Sequence, residues 1–172
     1  MDEGKIILVM GKASRITIRP VRDADRTWMR SEMKKWWGAE EVVLCGKVYY
    51  PAEMNGFIAH DDGEKYGLII FRRDQDQYEV MSLTTSEKHS PAARVLIETV
   101  IQDAREQKCR RVIVVTTNDN MDALRFYQKA GFHIHTIRTG VIAESRKLKP
   151  EIPTYGNHRI PIRDEIELEM YL

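Results

Sequence analysis

The feature of this sequence that most constrains its fold is a helical apolar stripe placed between two strand-like segments. Residues 78–84 form one strand-like run, and residues 112–115 form a continuous β-branched run, which is typical of a strand covered on both faces. Between them, apolar side chains recur at the spacing of one helix face. That stripe comprises Ala93, Leu96, Ile97, Val100, Ile101 and Ala104. A strand, a helix and a buried strand in this order predict an α/β domain.

Three strand-like runs with short polar connections occupy the middle of the chain, at residues 56–60, 66–72 and 78–84. The first connection, at residues 61–64, reads Asp-Asp-Gly-Glu, which is a turn signal. Short connections favour antiparallel neighbours, so these runs predict a β-meander. The meander and the strand–helix–strand unit together predict a mixed sheet.

Two further helices flank these segments. Residues 23–37 form the first, which ends at Gly38. Residues 120–130 form the second; Gly131 stands at the position that commonly follows a helix, and Phe132 can close its end by apolar contact.

The remaining segments complete the predicted architecture. Residues 132–138 are strand-like, and residues 139–164 are polar and proline-containing, so a loop region is predicted there. Residues 165–172 alternate strictly between one side with apolar residues and one with acidic residues and a tyrosine, which predicts a half-buried antiparallel strand. Residues 1–13 are predicted to be an N-terminal extension.

Composition indicates one globular domain and excludes several classes of partner. The chain has 172 residues, of which 42% are hydrophobic and 31% charged. The formal net charge is +1, so no nucleic-acid partner is expected. The apolar run at residues 6–10 is too short for a membrane span or a signal segment, which predicts a cytoplasmic protein without a membrane partner. Cys45 and Cys109 have no metal-like spacing, and no metal is predicted.

The junction between the third meander strand and the striped helix has the features of a phosphate site. It comprises Lys88, His89, Ser90, Pro91, Ala92, Ala93 and Arg94. Ser90 is suited to cap the helix and Pro91 to open it. The backbone N–H groups of residues 92–94 would then be free to bind phosphate, and the basic side chains add positive charge. The alternative is an ordinary capped helix that binds nothing.

Three segments, at residues 90–98, 109–120 and 121–132, resemble the GNAT superfamily of N-acetyltransferases. The last segment, together with Asn120, matches the family pattern N-x-x-A-x-x-F-Y-x-x-x-G-F. The resemblance spans residues 14–138. The family's pyrophosphate loop usually reads Q/R-x-x-G-x-G/A; here residues 88–93 take that place, with Lys88 first and Pro91 instead of the first glycine. Proline removes one backbone donor, although one that the helix itself does not use.

This resemblance implies a mostly antiparallel central sheet whose strands splay apart around acetyl-CoA as co-substrate. It implies that Met81, Ser82 and Leu83 line the pantetheine arm, that Asn120 contacts it, and that residues 88–94 other than Pro91 bind the pyrophosphate. It also implies that Tyr127 protonates the departing thiolate, a role for which a phenol is chemically suited. A core aromatic on an amphipathic helix is the alternative reading of Tyr127.

The general base and the acceptor are less constrained by the sequence. The family often places a glutamate where this chain has Gln77, which cannot act as a base; Glu79, two residues on, projects to the same strand face and is the candidate catalytic base. An exposed strand glutamate is the alternative reading. His60, His89 and His133 are further titratable side chains without positional support.

The resemblance places the acceptor site near the first helix and the last two strands. Aromatic side chains there can form a pocket or simply belong to the core, and the loop within residues 144–163 can cover the site. The aromatic residues are Trp28, Trp36, Trp37, Tyr49 and Tyr50, and the nearby acids are Glu40 and Glu41.

The function inferred from the sequence is acetyl transfer from acetyl-CoA to a primary amine, of a small molecule or of a protein, by direct attack in a ternary complex. Pro91 and Gln77 motivate an alternative, a catalytically impaired module that binds or senses CoA. A third possibility is a subunit that serves only in protein interaction. A homodimer is a further expectation, with the last strand or the N-terminal apolar run as a contact edge.

Overall fold

The computed structural model describes residues 7–11, 14–86 and 91–172, which form ten strands and four α-helices. The strands are β1 Ile7–Gly11, β2 Ser14–Pro20, β3 Val42–Leu44, β4 Lys47–Tyr49, β5 Asn55–Asp61, β6 Glu64–Asp74, β7 Gln77–Thr85, β8 Arg111–Thr117, β9 His133–Arg138 and β10 Glu165–Tyr171. The helices are α1 Arg26–Trp37, α2 Pro91–Glu106, α3 Met121–Lys129 and α4 Ile142–Leu148. Short 3₁₀ turns occur at Asp23–Asp25, Pro51–Glu53 and Asn157–Arg159.

Eight of these strands form one sheet in the order β1-β2-β5-β6-β7-β8-β10-β9. Every neighbouring pair is antiparallel except β7 and β8, which are parallel and joined through α2. A parallel pair needs a crossover of this kind, whereas short turns suffice for the meander β5–β6–β7. The predicted fold class, a mixed and mostly antiparallel sheet with flanking helices, is confirmed.

The sheet carries a separate core on each face. On one face α2 packs through Leu96, Ile97 and Val100, all fully buried members of the predicted stripe. On the other face α1 packs through Met29 and Met33. The α1 helix ends as predicted at Gly38, whose φ of 75° is a left-handed conformation that glycine adopts without steric cost.

The prediction of a half-buried last strand is wrong. Residues 165–169 of β10 are all buried, and β10 lies between β8 and β9 instead of at an edge of the sheet. The acidic side chains tolerate this position because each has a donor: Arg138 pairs with Glu167, Arg111 pairs with Glu169, and the Cys45 backbone N–H binds Glu165. A contact edge on β10 is therefore excluded as well; within the described sheet the edges are β1 and β9.

Two segments contain more regular structure than the sequence predicts. The region 139–164, expected to be a loop, includes α4, and the extension at residues 1–13 contributes β1, which pairs with β2. The hairpin β3–β4 was not predicted either; its two-residue turn consists of Cys45 and Gly46, both with positive φ. None of the helices in the described ranges is long and apolar enough to cross a membrane.

Candidate active site

The parallel pair β7 and β8 separates halfway along its length. Their pairing runs from Gln77 opposite Arg111 to Val80 opposite Val114, while the two strands continue to Thr85 and Thr117. The register between β6 and β7 shifts between residues 70 and 71, so β7 carries an extra residue just beyond Val80. A bulge bends its strand locally. The two strands therefore form a fork whose inner edges are free to bind an extended ligand.

The space in the fork is a groove of about 70 Å³. It brings together five of the residues predicted to hold the cofactor, from β7, the start of α3 and the middle of α3. These are Met81, Ser82, Leu83, Asn120 and Tyr127. The remaining walls come from Trp37, Val80, residues 114–116 and Ala123. The groove has the location that the sequence resemblance implied for the pantetheine arm.

Tyr127 is held in the groove by ring packing. Its ring lies edge-on to Phe126 and Phe132, with centroid distances of 5.1 and 5.5 Å. Burial raises the pKa of the Tyr127 hydroxyl well above its ordinary value of 10.0. Among the described residues its hydroxyl has no hydrogen-bond partner. The side chain is thus a protonated phenol that lines the groove.

Asn120 fixes the start of α3 beside the groove. Its side-chain oxygen accepts a hydrogen bond of 3.1 Å from the N–H of Ala123, as a helix cap does. The amide nitrogen of the same side chain remains available to the groove. One polar residue therefore positions both the helix that carries Tyr127 and one wall of the fork.

The predicted phosphate site is described only in part. Lys88, His89 and Ser90 lie outside the described residues. The helix α2 begins at Pro91, as predicted, and Ala92 is fully buried, whereas Ala93 is partly exposed.

The Arg94 side chain is already engaged. It donates hydrogen bonds to Glu98 at 2.5 Å and to the carbonyl of Lys129 at 3.1 Å, at the end of α3. The first-turn N–H groups of residues 92–94 have no acceptor within a helix, so they are the donors that can bind a phosphate here.

A larger cavity of about 550 Å³ adjoins the groove. The two share five lining residues, namely Trp37, Met81, Val115, Thr116 and Asn120. The walls of the larger cavity come from the end of α1, β3, the turn between β8 and α3, α4 and residues 149–157. The predicted role of the 144–163 region in shaping the site is thus supported by its position. A molecule in this cavity can meet one in the groove.

Glu165 is one of two buried carboxylates that line the larger cavity, the other being Asp119. Only 1% of Glu165 is exposed, and its oxygens accept the backbone N–H of Cys45 at 3.1 and 3.2 Å. No lysine, arginine or histidine among the described residues forms a salt bridge with it. Burial and the Glu165 charge raise the pKa of the Cys45 thiol to about 11, so this thiol is not an activated nucleophile. Arg138 lies opposite Glu165 on β9 but pairs with Glu167, so the described residues leave the Glu165 carboxylate without a salt bridge.

Two other charged side chains of the cavity are satisfied by the protein itself. The carboxylate of Asp119 accepts from the Thr117 hydroxyl at 2.6 Å and from the N–H of Asn157 at 2.9 Å. The ammonium group of Lys149 donates to the carbonyls of Trp37 at 3.3 Å and Glu41 at 2.9 Å, at the negative end of α1. Through these bonds, Asp119 and Lys149 attach the 149–157 segment to the other walls of the cavity.

Glu79, the candidate base from the sequence, is not brought to either cavity. It is buried, not exposed, and pairs with Arg72, whose guanidinium also lies over the ring of Tyr49 at 5.1 Å. Glu79 stands opposite Ile113 in the paired half of β7, before the strands separate. Gln77 is farther from the fork still, and accepts a hydrogen bond from Arg111.

The aromatic and acidic residues predicted near the acceptor site do not all reach the larger cavity. Trp36 and Trp37 line the cavity, whereas Trp28 lies under the Lys65 ammonium at 4.9 Å and Tyr50 is exposed. Glu40 forms a salt bridge with Lys34 on α1.

None of the four described histidines lines either cavity. Burial lowers the pKa of His60, and His133 lies 3.3 Å from Glu169 on the edge strand β9. His89 lies outside the described residues.

Comparison with known proteins agrees with this architecture. The family model described as "Acetyltransferase (GNAT) family" matches residues 20–132. The uncharacterized protein YxbD of Bacillus subtilis (strain 168) is 31% identical over 154 residues, which cover 89% of this chain and 97% of that protein. The chain belongs to the GNAT family of acetyltransferases.

Two solved structures share the fold. The IAA acetyltransferase from Bacillus cereus ATCC 14579 superposes with a TM-score of 0.67 at 16% identity, covering 91% of this chain and 99% of that one. A GNAT family acetyltransferase from Elizabethkingia anophelis, with acetyl-CoA bound, superposes with a TM-score of 0.65 at 20% identity, covering 91% and 98%. At these identities the likeness concerns the fold.

Proposed function

We propose that this protein transfers the acetyl group of acetyl-CoA to a primary amine by direct attack within a ternary complex. The observation that carries the proposal is the continuity of the two cavities. A narrow groove with a strand-like inner edge opens, through five shared residues, into a wider cavity that contains a buried carboxylate. Two substrates bound in this way meet at the junction, which is the geometry that direct transfer requires.

The residues present fit acetyl-CoA. The free inner edge of β7 at residues 81–83 matches an extended arm with amide groups, and the first turn of α2 supplies N–H donors for the pyrophosphate. We include Lys88, His89 and Ser90 in this phosphate site on the sequence resemblance. The fold relative from Elizabethkingia anophelis has acetyl-CoA bound, which supports the assignment of the co-substrate. Acetyl-CoA supplies an acetyl carbon activated as a thioester.

Glu165 and Tyr127 divide the proton transfers between them. The Glu165 carboxylate binds the substrate ammonium and accepts one of its protons, which leaves a nucleophilic amine. The amine nitrogen forms a bond to the acetyl carbon, and the carbon–sulfur bond breaks. Tyr127 donates its hydroxyl proton to the leaving sulfur and is reprotonated by a second proton from the amine. Overall, the ammonium loses two protons, one to the thiol and one through Glu165 to solvent.

Acetyl transfer to a panel of primary amines, measured by the release of free CoA thiol, tests the proposal. We expect turnover by the wild type, a fall in kcat of about 10²-fold or more in Tyr127→Phe, and a comparable fall in Glu165→Gln. Glu144→Gln is the matched control because Glu144 is exposed on α4, outside both cavities, and its described partner is Lys147 on the same helix. Its activity is expected to equal that of the wild type.

Two outcomes would contradict the assignment in different ways. Binding of acetyl-CoA without transfer to any amine would favour the alternative of an impaired CoA-binding module. Full activity of Tyr127→Phe would remove the proposed acid while leaving the family assignment intact. Thermal unfolding of each variant shows whether a loss of activity reflects a loss of fold.

A further inference from the structure

We infer that the amine substrate is a small molecule that carries a primary ammonium group on a compact apolar body, and not a peptide or a polyamine. This inference rests on the proposed function and specifies its acceptor. It follows from three properties of the 550 Å³ cavity, namely its size, its mostly apolar walls and the buried Glu165 carboxylate, for which the described residues provide no salt bridge. The volume lies within the range typical of small-molecule sites, about 300–1,000 Å³.

The wall formed by residues 149–157 is fixed in place. The Arg146 guanidinium donates to the carbonyls of Ile152, Pro153 and Ile162 at distances of 2.7 to 3.1 Å. The same segment is held from inside by the contact between Asp119 and the Asn157 N–H. Because these bonds connect the segment at both ends, it forms a fixed wall of the cavity. A long peptide that crossed this wall would have to break them.

The walls around the cavity are mostly apolar. Trp36 and Leu44 contribute from α1 and β3, and Ile142, Ile152 and Ile162 contribute from the opposite side. Such a lining stabilises a bound apolar body by removing it from water. Of the three carboxylates that line the cavity, Asp119 is bonded within the protein and Glu151 is exposed, so the several ammonium groups of a polyamine would not each meet a buried carboxylate.

The charge in this apolar setting is that of Glu165. Asp119 and Lys149 are satisfied internally, and Glu151 is exposed at the rim. Glu165 accepts from the Cys45 backbone N–H and lies opposite Arg138 on β9, but the Arg138 guanidinium pairs with Glu167, and none of the described residues forms a salt bridge with Glu165. A buried carboxylate of this kind gains most from a ligand that brings a hydrogen-bonding cation. One ammonium group on the ligand meets that requirement.

Calorimetric titration of the whole protein, in the absence of acetyl-CoA, tests this inference with four probes. Phenethylamine has the predicted chemistry, and phenethyl alcohol has the same body without the charge. Spermidine and a short lysine peptide represent the excluded classes. We expect phenethylamine to bind at least about tenfold more tightly than each of the other three, because the charged hydrogen bond to Glu165 and the apolar contacts are then made together.

The variants Glu165→Gln and Glu144→Gln show whether Glu165 causes the preference for phenethylamine over phenethyl alcohol. Glu165→Gln is expected to weaken phenethylamine binding about tenfold or more and to leave phenethyl alcohol unchanged, whereas Glu144→Gln changes neither. Equal binding of the amine and the alcohol to the wild type, or tighter binding of spermidine or the peptide, would overturn the inference. The comparison between amine and alcohol uses the wild type alone, so it stands even if Glu165→Gln fails to fold.

The same experiment separates this inference from the proposed function. If phenethylamine binds as described but no acetyl group is transferred when acetyl-CoA is added, the proposed function fails and the acceptor chemistry stands. If acetyl transfer to the peptide occurs while phenethylamine does not bind, the proposed function stands and the inferred acceptor is wrong.

Discussion

The indole N–H of Trp37 donates a hydrogen bond of 3.1 Å to the hydroxyl of Ser82. Trp37 is the last residue of α1, and Ser82 is a buried residue of β7 just beyond the point where β7 leaves β8. Trp37 also lines both cavities. The bond therefore ties the end of α1 to the strand at the junction of the groove and the acceptor cavity, and it sets the spacing of the two walls there.

Trp37→Phe removes this bond while it keeps an aromatic ring in place. We expect the free energy of unfolding to fall by about 1 kcal/mol, and the midpoint of thermal unfolding to fall by about 2–4 °C. Trp36→Phe is the matched control, because the Trp36 N–H bonds to Glu32 at the surface, at 2.9 Å. That change is expected to stay within about 0.5 kcal/mol. Equal losses in the two variants would show that the Ser82 bond contributes nothing.

Stability at alkaline pH is expected to depend on Tyr127. Burial raises its pKa above the ordinary value of 10.0, so the folded state holds this proton more strongly than the unfolded state does. The stabilisation is complete below the unfolded pKa and is lost as the pH rises beyond it. Between about pH 8 and about pH 11, the free energy of unfolding measured in urea should fall less in Tyr127→Phe than in the wild type. An equal loss in both would contradict the prediction.

Asp25 is expected to govern stability on the acid side. Its carboxylate is bound by Arg19 at 2.7 and 2.8 Å and by Lys65 at 2.6 Å. The Arg19 hydrogen bond, with help from Lys65 and the Arg22 N–H, lowers the pKa of Asp25 from 3.8 although burial opposes the shift. The stabilisation is therefore present above the unfolded pKa and is lost as the pH falls through the folded pKa.

Asp25→Asn tests this point. We expect it to lower the free energy of unfolding by about 3 kcal/mol near neutral pH, since two cations lose a buried partner. Below about pH 4 the difference from the wild type should shrink. Asp23→Asn is the control: Asp23 is fully exposed and lies 3.7 Å from Arg26. A constant difference between Asp25→Asn and the wild type at every pH would refute the assignment of the acid transition to Asp25.

Gly156 is a position where a methyl group has no room. A Cβ there would lie 2.0 Å from Oδ2 of Asp119 and 2.6 Å from its Cγ. Gly156→Ala must displace Asp119 or the 149–157 segment, and we expect a destabilisation of about 2 kcal/mol. Because Gly156 lines only the larger cavity, the KM for the amine should rise while the KM for acetyl-CoA stays nearly constant. Thr154→Ala, at an exposed position of the same segment, should change neither constant.

The local parts of this architecture could be predicted from the sequence. The spacing of the apolar residues around Leu96 and Val100 predicts a helix that packs against a sheet. In the structure both side chains are fully buried. The pattern at residues 120–132 places Asn120 and Tyr127 on one helix, and both line the groove. These predictions succeed because the spacing of side chains within one helix is fixed by its geometry.

The proposed general base, Glu165, could not be chosen from the sequence, because its position depends on which strands are neighbours in the sheet. Glu79 and Glu165 are both glutamates of strands that alternate in polarity. Glu165 reaches the cavity because β10 pairs with β8 and places Glu165 opposite Thr117, beyond the end of the β7–β8 pairing. An alternating strand has the same pattern at an edge and in the interior. The 47 residues between Thr117 and Glu165 contain nothing that specifies this pairing locally.

The position of β10 in the sheet also determines when the site can form during protein synthesis. Translation proceeds from the N-terminus, so β7 and β8 leave the ribosome and can pair well before residues 165–171 appear. The strand β9 is joined to β8 only through β10 and has no place in the sheet until then. A nascent chain therefore reaches a stage at which the β7–β8 fork is formed but the acceptor cavity still lacks Glu165. Completion of the site coincides with insertion of the final strand, so a ribosome-bound fragment that ends before Glu165 is expected to be inert.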